Sequence, residues 1–162
     1  MADVSPQVNP YVEAALHQLK VAVHSIVTMM DQLTDSELDI SPIANKRSLR
    51  GLIVHLSMIC MADIRIAEGE SEEAMRVFYK EYEPRTLQHA KEVTLAGLHQ
   101  LESIYGAYSE AELQEMTTSY WGVSYSRYEW LMEMVGHLYH HRAQLHMMMA
   151  EHVREPKVAL FE

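Results

Sequence analysis

Histidine is concentrated in one short segment of this sequence. Five of the ten histidines lie between Glu133 and His152, in the segment EMVGHLYHHRAQLHMMMAEH. His137 and His141 are four residues apart, so on a helix their side chains project from the same face, one turn apart. Apolar residues share that face, which predicts that both imidazoles point into a protein core. The chemistry that such a pair of side chains can support is metal coordination.

A third histidine, His55, lies within another apolar segment, LIVHLSMI. It is about nine residues into its predicted helix, and the midpoint of His137 and His141 is about twelve residues into theirs, which gives depths of roughly 14 and 18 Å. These depths agree whether the two helices are parallel or antiparallel. Two interpretations stay open. Each imidazole is a core residue hydrogen-bonded to a neighbour, or the three imidazoles share one divalent metal ion.

Four long segments must position these side chains, and each has hydrophobic residues at the spacing of an amphipathic helix. They cover residues 10–33, 46–68, 85–105 and 127–153. No strands alternate with them, so we predict an all-α protein, a four-helix bundle that forms a single domain over residues 1–162.

The connectors between these segments carry signals of their own. We expect short extra helices within residues 34–45 and 69–84, and a β-prone, aromatic stretch at the end of residues 108–126. Ser109 and Glu112 have the spacing of a capping box, and so do Ser126 and Glu129. The second pair predicts that the last long helix begins at Arg127.

The charge balance limits the class of partner. The formal net charge is −10, and binding to nucleic acid or to an anionic membrane requires a basic face. Only Lys46, Arg47 and Arg50 form a tight basic cluster, which we interpret as the start of a helix. We therefore expect neither nucleic acid nor membrane as the main partner.

A single cysteine, Cys60, excludes a disulfide within one chain and favours a reducing compartment. We interpret it as a small buried hydrophobic residue. The N-terminal stretch MADVSPQVNP lacks the pattern of a secretory leader, and no apolar run reaches transmembrane length. We therefore expect a cytoplasmic protein.

Three segments resemble those of a known family. GHLYHHRAQLHMM is similar to the H-x-x-H-H-R-(G/A)-Q signature of the DinB-like (DinB/YfiT) proteins, and KRSLRGLIVHLSMI resembles their second helix, which carries a lone histidine. The aromatic segment YWGVSYSRYEWL resembles the stretch that precedes their last helix. The resemblance covers nearly the whole chain. One departure is Ala143, where glycine is common, and in mid-helix this change favours the helix.

The resemblance implies a fold and a metal site. The fold is a four-helix bundle with up-down-down-up topology, often assembled as a homodimer. The metal ligands are the histidine of the second helix and the first and last histidines of the signature, which correspond to His55, His137 and His141 in this sequence. The middle histidine, His140, is not a ligand in this pattern. Spacing and resemblance therefore select the same three residues.

Three neutral histidines leave a divalent ion with open coordination positions, as in catalytic sites. Zinc or nickel is the metal we expect, and iron, cobalt and manganese are also compatible with the ligands. Water at such a position would serve a hydrolase. A low-molecular-weight thiol would lose its proton there and serve S-transfer or thiol-dependent isomerisation, activities that the resemblance implies. The expected partner is thus a small-molecule substrate or thiol.

Other residues near the predicted site have two interpretations each. Arg142 could bind a carboxylate of the substrate or thiol, or pair with a glutamate on its own helix. Tyr120, Trp121 and Tyr125 precede the last helix, where they could roof a pocket or pack within a connector or dimer contact. Gln144 could hydrogen-bond within the bundle or to a ligand.

Several function classes compete for this fold. A metal-dependent S-transferase or hydrolase is one, and a metal- or small-molecule-binding stress-response bundle without catalysis is another. A ferritin-like di-iron protein requires Glu-x-x-His motifs, which this sequence lacks. The H-E-x-x-H motif of metalloproteases is also absent.

Overall fold

The computed structural model describes residues 8–162, so most of the stretch that we expected to lack a leader peptide lies outside the described residues. Four long helices dominate it. In chain order the helices are α1 (Pro10–Met30), α2 (Leu49–Ala67), α3 (Glu72–Tyr82), α4 (Leu87–Ala107), α5 (Glu110–Leu113) and α6 (Arg127–His152). A short 3₁₀ helix (Asp35–Asp39) lies between α1 and α2. Two strands, β1 (Met116–Thr118) and β2 (Ser124–Ser126), form an antiparallel hairpin before α6.

Polar caps decide where the long helices begin. Asn9, Ser48, Thr86 and Ser126 each accept hydrogen bonds from free backbone N–H groups of α1, α2, α4 and α6. The second and third long helices therefore begin at Leu49 and Leu87, a few residues after the predicted starts.

Of the two predicted capping boxes, one forms completely. Ser109 and Glu112 satisfy each other's free backbone N–H groups at the start of α5. At α6 only half of the box forms, because Ser126 Oγ accepts from the backbone N–H of Glu129 without a reciprocal bond from the glutamate side chain. The predicted start of α6 at Arg127 is nevertheless confirmed.

Contacts between side chains give the directions of α2 and α6. His55 and Asp63 on α2 contact His141 and His137 on α6, respectively. Because the order of the partners is reversed, α2 and α6 are antiparallel.

Helix α1 has the opposite relation to α6. Tyr139 on α6 bonds to Gln18 on α1, and Arg142, further along α6, bonds to Ser25, further along α1. The partners follow in the same order, so α1 and α6 are parallel.

Helix α4 completes the bundle. Lys91 near its start forms an ion pair of 2.7 Å with Asp31, which follows α1, while its last residues lie beside Asn9 and Pro10 at the other end. Helices α1 and α4 are therefore antiparallel. With α1 defined as up, the order is up, down, down, up, which confirms the predicted topology.

The main packing pairs place α1 and α2 on one diagonal of the bundle and α4 and α6 on the other. All four helices contribute to one apolar core, and fully buried members include Leu19, Leu56, Leu101 and Leu138. Across residues 8–162, no helix combines the length and the apolar character required to cross a membrane.

Candidate metal centre

Three imidazoles from two antiparallel helices converge inside the bundle. His55 projects from α2, and His137 and His141 project from adjacent turns of α6. One ring nitrogen from each histidine lies within 4.8 Å of the others. The closest pair is His55 Nε2 and His141 Nε2, which are 3.0 Å apart. The geometry brings together all three histidines predicted as ligands, and they could hold a metal ion.

Two of the imidazoles are oriented by hydrogen bonds from their Nδ1 atoms to other side chains. His137 Nδ1 donates a hydrogen bond of 2.7 Å to the carboxylate of Asp63, a buried residue of α2. His141 Nδ1 donates one of 2.7 Å to the amide oxygen of Gln144, whose amide nitrogen in turn donates to His140. In this arrangement the Nε2 atoms of His137 and His141 keep their lone pairs for a shared ligand.

The pKa shifts follow from these surroundings. Burial, and then the positive charge of Arg47, lower the pKa of His55 to about 3. Burial lowers the pKa of His141 against the opposing hydrogen bond to Gln144. At His137 burial acts in the same direction, but the hydrogen bond and charge of Asp63 outweigh it and raise the pKa. Neutral His55 and His141 are in the state that metal ligation requires.

The donor set suits a divalent transition metal. A tetrahedral ion with metal–nitrogen bonds of about 2.0–2.1 Å separates two nitrogen ligands by roughly 3.3 Å, close to the 3.0 Å between His55 and His141. Among residues 8–162 no carboxylate or thiol joins the three histidines to complete the coordination sphere. Asp63 acts behind His137, and the Cys60 thiol is buried with a raised pKa. The residues present therefore fit a three-histidine site with open positions.

Two cavities reach the histidines. The larger, about 1090 Å³, has His55 in its wall together with residues of α2, α3 and the connector before α4. The smaller, about 420 Å³, has His140, His141 and Gln144 in its wall, with apolar side chains such as Leu52 and Met148. Arg47 lines both cavities.

The matches to this chain are among proteins of solved structure. No protein-family model and no curated protein matches this sequence. A candidate member of the DinB family from Exiguobacterium sibiricum 255-15 superposes with a TM-score of 0.86 at 28% sequence identity, covering 95% of this chain and 99% of that one. This chain has a DinB-like fold. A DinB-like protein from Bacillus cereus ATCC 10987 has a TM-score of 0.62 at 19% identity, covering 86% and 91%, and this second likeness concerns the fold alone.

In this DinB-like bundle Arg142 points away from the three histidines. It is 4% exposed, and its guanidinium donates to Ser25 Oγ and to the carbonyl of Leu160. The same group lies over the rings of Tyr139 and Phe161, at 4.2 and 5.1 Å from their centroids. The glutamates of α6 are not its partners. The structure thus places Arg142 in a clamp that holds the C-terminal segment against α1 and α6.

The aromatic residues before α6 lie on the hairpin. Tyr120 and Trp121 occupy the exposed turn between the strands, and the rings of Trp121 and Tyr125 pack on buried Trp130 at 6.4 and 4.7 Å between centroids. None of the three predicted residues lines either cavity that reaches the histidines. Their contacts are those of a packed connector.

Sequence reasoning missed two residues of the site. Asp63 is an isolated carboxylate in the apolar run ICMADIRI, and such a buried acid in an apolar helix is the signal that could have identified it. The basic cluster that contains Arg47 predicts only the start of a helix. His140 is outside the three-histidine group, although its ring lies 4.7 Å from that of His141 between centroids. Four of the other histidines bond to or approach a glutamate or glutamine: His17, His140, His146 and His152.

Proposed function

We propose that this protein is a metal-dependent enzyme that transfers a low-molecular-weight thiol to a small-molecule substrate. The observation that carries the proposal is the cluster of His55, His137 and His141 with no fourth protein ligand among the described residues. A structural metal site is normally closed by four protein ligands, whereas a catalytic site keeps a position open. Two members of the cluster also form cavity walls, so a small molecule can reach them.

The bound ion would lower the pKa of a thiol or water that enters its open position. The contribution of the protein is to hold the ligands. Asp63 fixes the ring of His137, and Gln144 fixes the ring of His141. These hydrogen bonds keep the two imidazole rings in place when a substrate binds.

The presence of two cavities favours a transferase over a hydrolase, because a transferase must bring two molecules to one centre. A hydrolase of the same class is the second candidate, since it would use the same ligands with water in place of the thiol. A binding protein without catalysis would need only one of the cavities.

A thiol-consumption assay tests this proposal. Metal-loaded protein is mixed with a soluble electrophile and each of a panel of low-molecular-weight thiols, and loss of free thiol is followed. We expect acceleration by the wild-type protein and none by His137→Ala. The matched control is His99→Ala, which changes an exposed histidine of α4 and should retain the activity.

Failure of the wild-type protein with every thiol would contradict the transferase. Hydrolysis of a panel of small esters by the same preparation would then assign the site to a hydrolase. If neither reaction is accelerated although metal is bound, the protein is a binding module.

Other expectations accompany the proposal. Zinc or nickel is the proposed metal, with iron, cobalt and manganese as the other candidates. Homodimerisation, a cytoplasmic location and the lack of nucleic-acid or membrane partners stay predictions.

A further inference from the structure

The larger cavity beside His55 has a charge opposite to that of the whole chain. Its wall contains the cations Arg47, Arg50, Arg76, Lys80 and Arg85 and one carboxylate, Glu83. The formal net charge of the chain is −10. A concave surface lined by one sign of charge concentrates ligands of the opposite sign.

Not all of these cations are neutralised by the protein. Arg50 forms an ion pair of 3.2 Å with Asp39, and Arg76 forms one of 3.0 Å with Glu73. Within the described part of the chain, no hydrogen bond or ion pair engages the side chains of Arg47, Lys80 and Arg85. Three cations therefore share the cavity with a single unpaired carboxylate.

These three cations come from separate elements. Arg47 precedes α2, Lys80 lies near the end of α3, and Arg85 lies in the connector before α4. They do not form one solvated face of a helix, which is the ordinary interpretation of a charge cluster. All three are exposed, and the fold brings them to the wall of one open cleft of about 1090 Å³. An anion in that space would relieve their mutual repulsion and accept their hydrogen bonds.

We infer that this cavity binds an anionic small molecule with at least two carboxylate or phosphate groups. Arg47, Lys80 and Arg85 hold the anionic groups, and the rest of the molecule extends towards His55. That this molecule is a substrate of the metal centre rests on the proposed function, whereas its binding does not. Arg47 lines the second cavity as well, so it lies where the two ligands of a transferase would meet.

Isothermal titration calorimetry at low salt tests the inference with three probes. Succinate carries two carboxylates, pyrophosphate carries two phosphoryl groups, and succinamide is a neutral analogue of succinate. We expect heat of binding from at least one anion and none from succinamide, and added salt should weaken the binding. Whichever anion binds more tightly identifies the anionic group.

Three variants locate the binding. The double variant Lys80→Gln/Arg85→Gln should bind the anion roughly tenfold more weakly, since it loses two charge-assisted contacts. Lys20→Gln, at an exposed position of α1, removes a cation far from the cavity and should bind as the wild type does. His137→Ala, which is expected to lose the metal, should retain the binding.

Equal affinity of the wild type and the double variant would overturn the inference. Loss of binding in His137→Ala with no change in the double variant would also overturn it, because the anion would then be a ligand of the metal. Metal content is measured separately on each protein, so failure of the metal site and failure of the anion site give different results.

Discussion

The three clustered histidines differ in what lies behind each ring. His137 has a carboxylate and His141 has an amide oxygen, while His55 has no second partner among the described residues. A carboxylate behind a ligand histidine fixes the ring and increases its basicity. Burial lowers the pKa of both rings; at His137 the hydrogen bond and charge of Asp63 outweigh it, whereas at His55 the charge of Arg47 adds to it.

Asp63→Asn tests the role of that carboxylate. The amide keeps an oxygen that can accept from His137 Nδ1 but removes the charge, so metal affinity should fall roughly 10- to 100-fold. A competition titration with a chromogenic chelator measures the change. Glu81→Gln makes the same chemical change at an exposed position of α3 and should leave the affinity unaltered. Unchanged affinity in Asp63→Asn would remove Asp63 from the site.

Arg142→Gln tests the clamp at the C-terminal segment. The variant loses charge-assisted hydrogen bonds to Ser25 and Leu160 and the contacts with two aromatic rings. The free energy of unfolding, measured in urea, should fall by about 2 kcal/mol, and metal content should stay the same. If stability is unchanged and substrate or thiol affinity falls, Arg142 belongs to the binding site after all.

At the scale of elements, the site depends on how closely the helices pack. Gly97 on α4 faces Cys60 on α2, and a Cβ atom added at Gly97 would lie 2.9 Å from the Cβ of Cys60. Such a distance is too short for two carbon atoms, so a side chain there would push α4 away from the helix that carries His55 and Asp63.

Gly97→Ala should therefore reduce the free energy of unfolding by about 1–3 kcal/mol from overpacking, less the small gain in helix propensity. Gly136→Ala is the matched control, because an added Cβ on α6 meets nothing within 4 Å. The control should be neutral or stabilised by about 0.5–1 kcal/mol. Equal effects of the two substitutions would show that α2 and α4 are not in close contact.

The 3₁₀ helix is tied to the C-terminal segment by an ion pair between Glu37 and Arg154. The hydrogen bond from Arg154 lowers the pKa of Glu37 below its ordinary value of 4.5. The unfolded chain thus binds the proton more readily, and the stabilisation is present above pH 4.5 and lost as pH falls through the folded pKa.

Glu37→Gln should consequently be less stable than the wild type at pH 7, by up to about 1 kcal/mol. Urea unfolding at several pH values should show this difference shrinking as the pH falls below the ordinary pKa of the carboxyl group. A difference that stays constant with pH would exclude the ion pair as its origin.

The number and order of the long helices could be predicted from the sequence, because each buries the apolar face that its amphipathic pattern defines. The boundaries were less predictable: α2 and α4 begin after the caps Ser48 and Thr86, whereas the predicted segments began at the preceding basic residues Lys46 and Arg85. Residues 69–84, predicted to contain a short helix, form the 11-residue helix α3. The roles of α3 and Arg85 in the cationic cavity depend on tertiary placement, which no local pattern encodes.

At the scale of the whole molecule, topology creates the site. Because α2 and α6 are antiparallel, His55 meets His141 while Asp63, two turns later, meets His137. The three histidines could be selected from their spacing and from the family resemblance. The sequence marks Asp63 only as an isolated acid in an apolar run and Arg47 only as part of a basic cluster. Their roles appear only when two helices and two cavities are brought together.

Metal analysis of the untagged protein tests the central claim most directly. Inductively coupled plasma mass spectrometry of the wild type should find about one divalent transition metal ion per chain. The variant His55→Ala/His137→Ala/His141→Ala should hold none, and His17→Ala/His24→Ala/His99→Ala, which changes three exposed histidines, should hold as much as the wild type. Full metal occupancy in the first triple variant, or no metal in the wild type after saturation with zinc or nickel, would contradict the assignment.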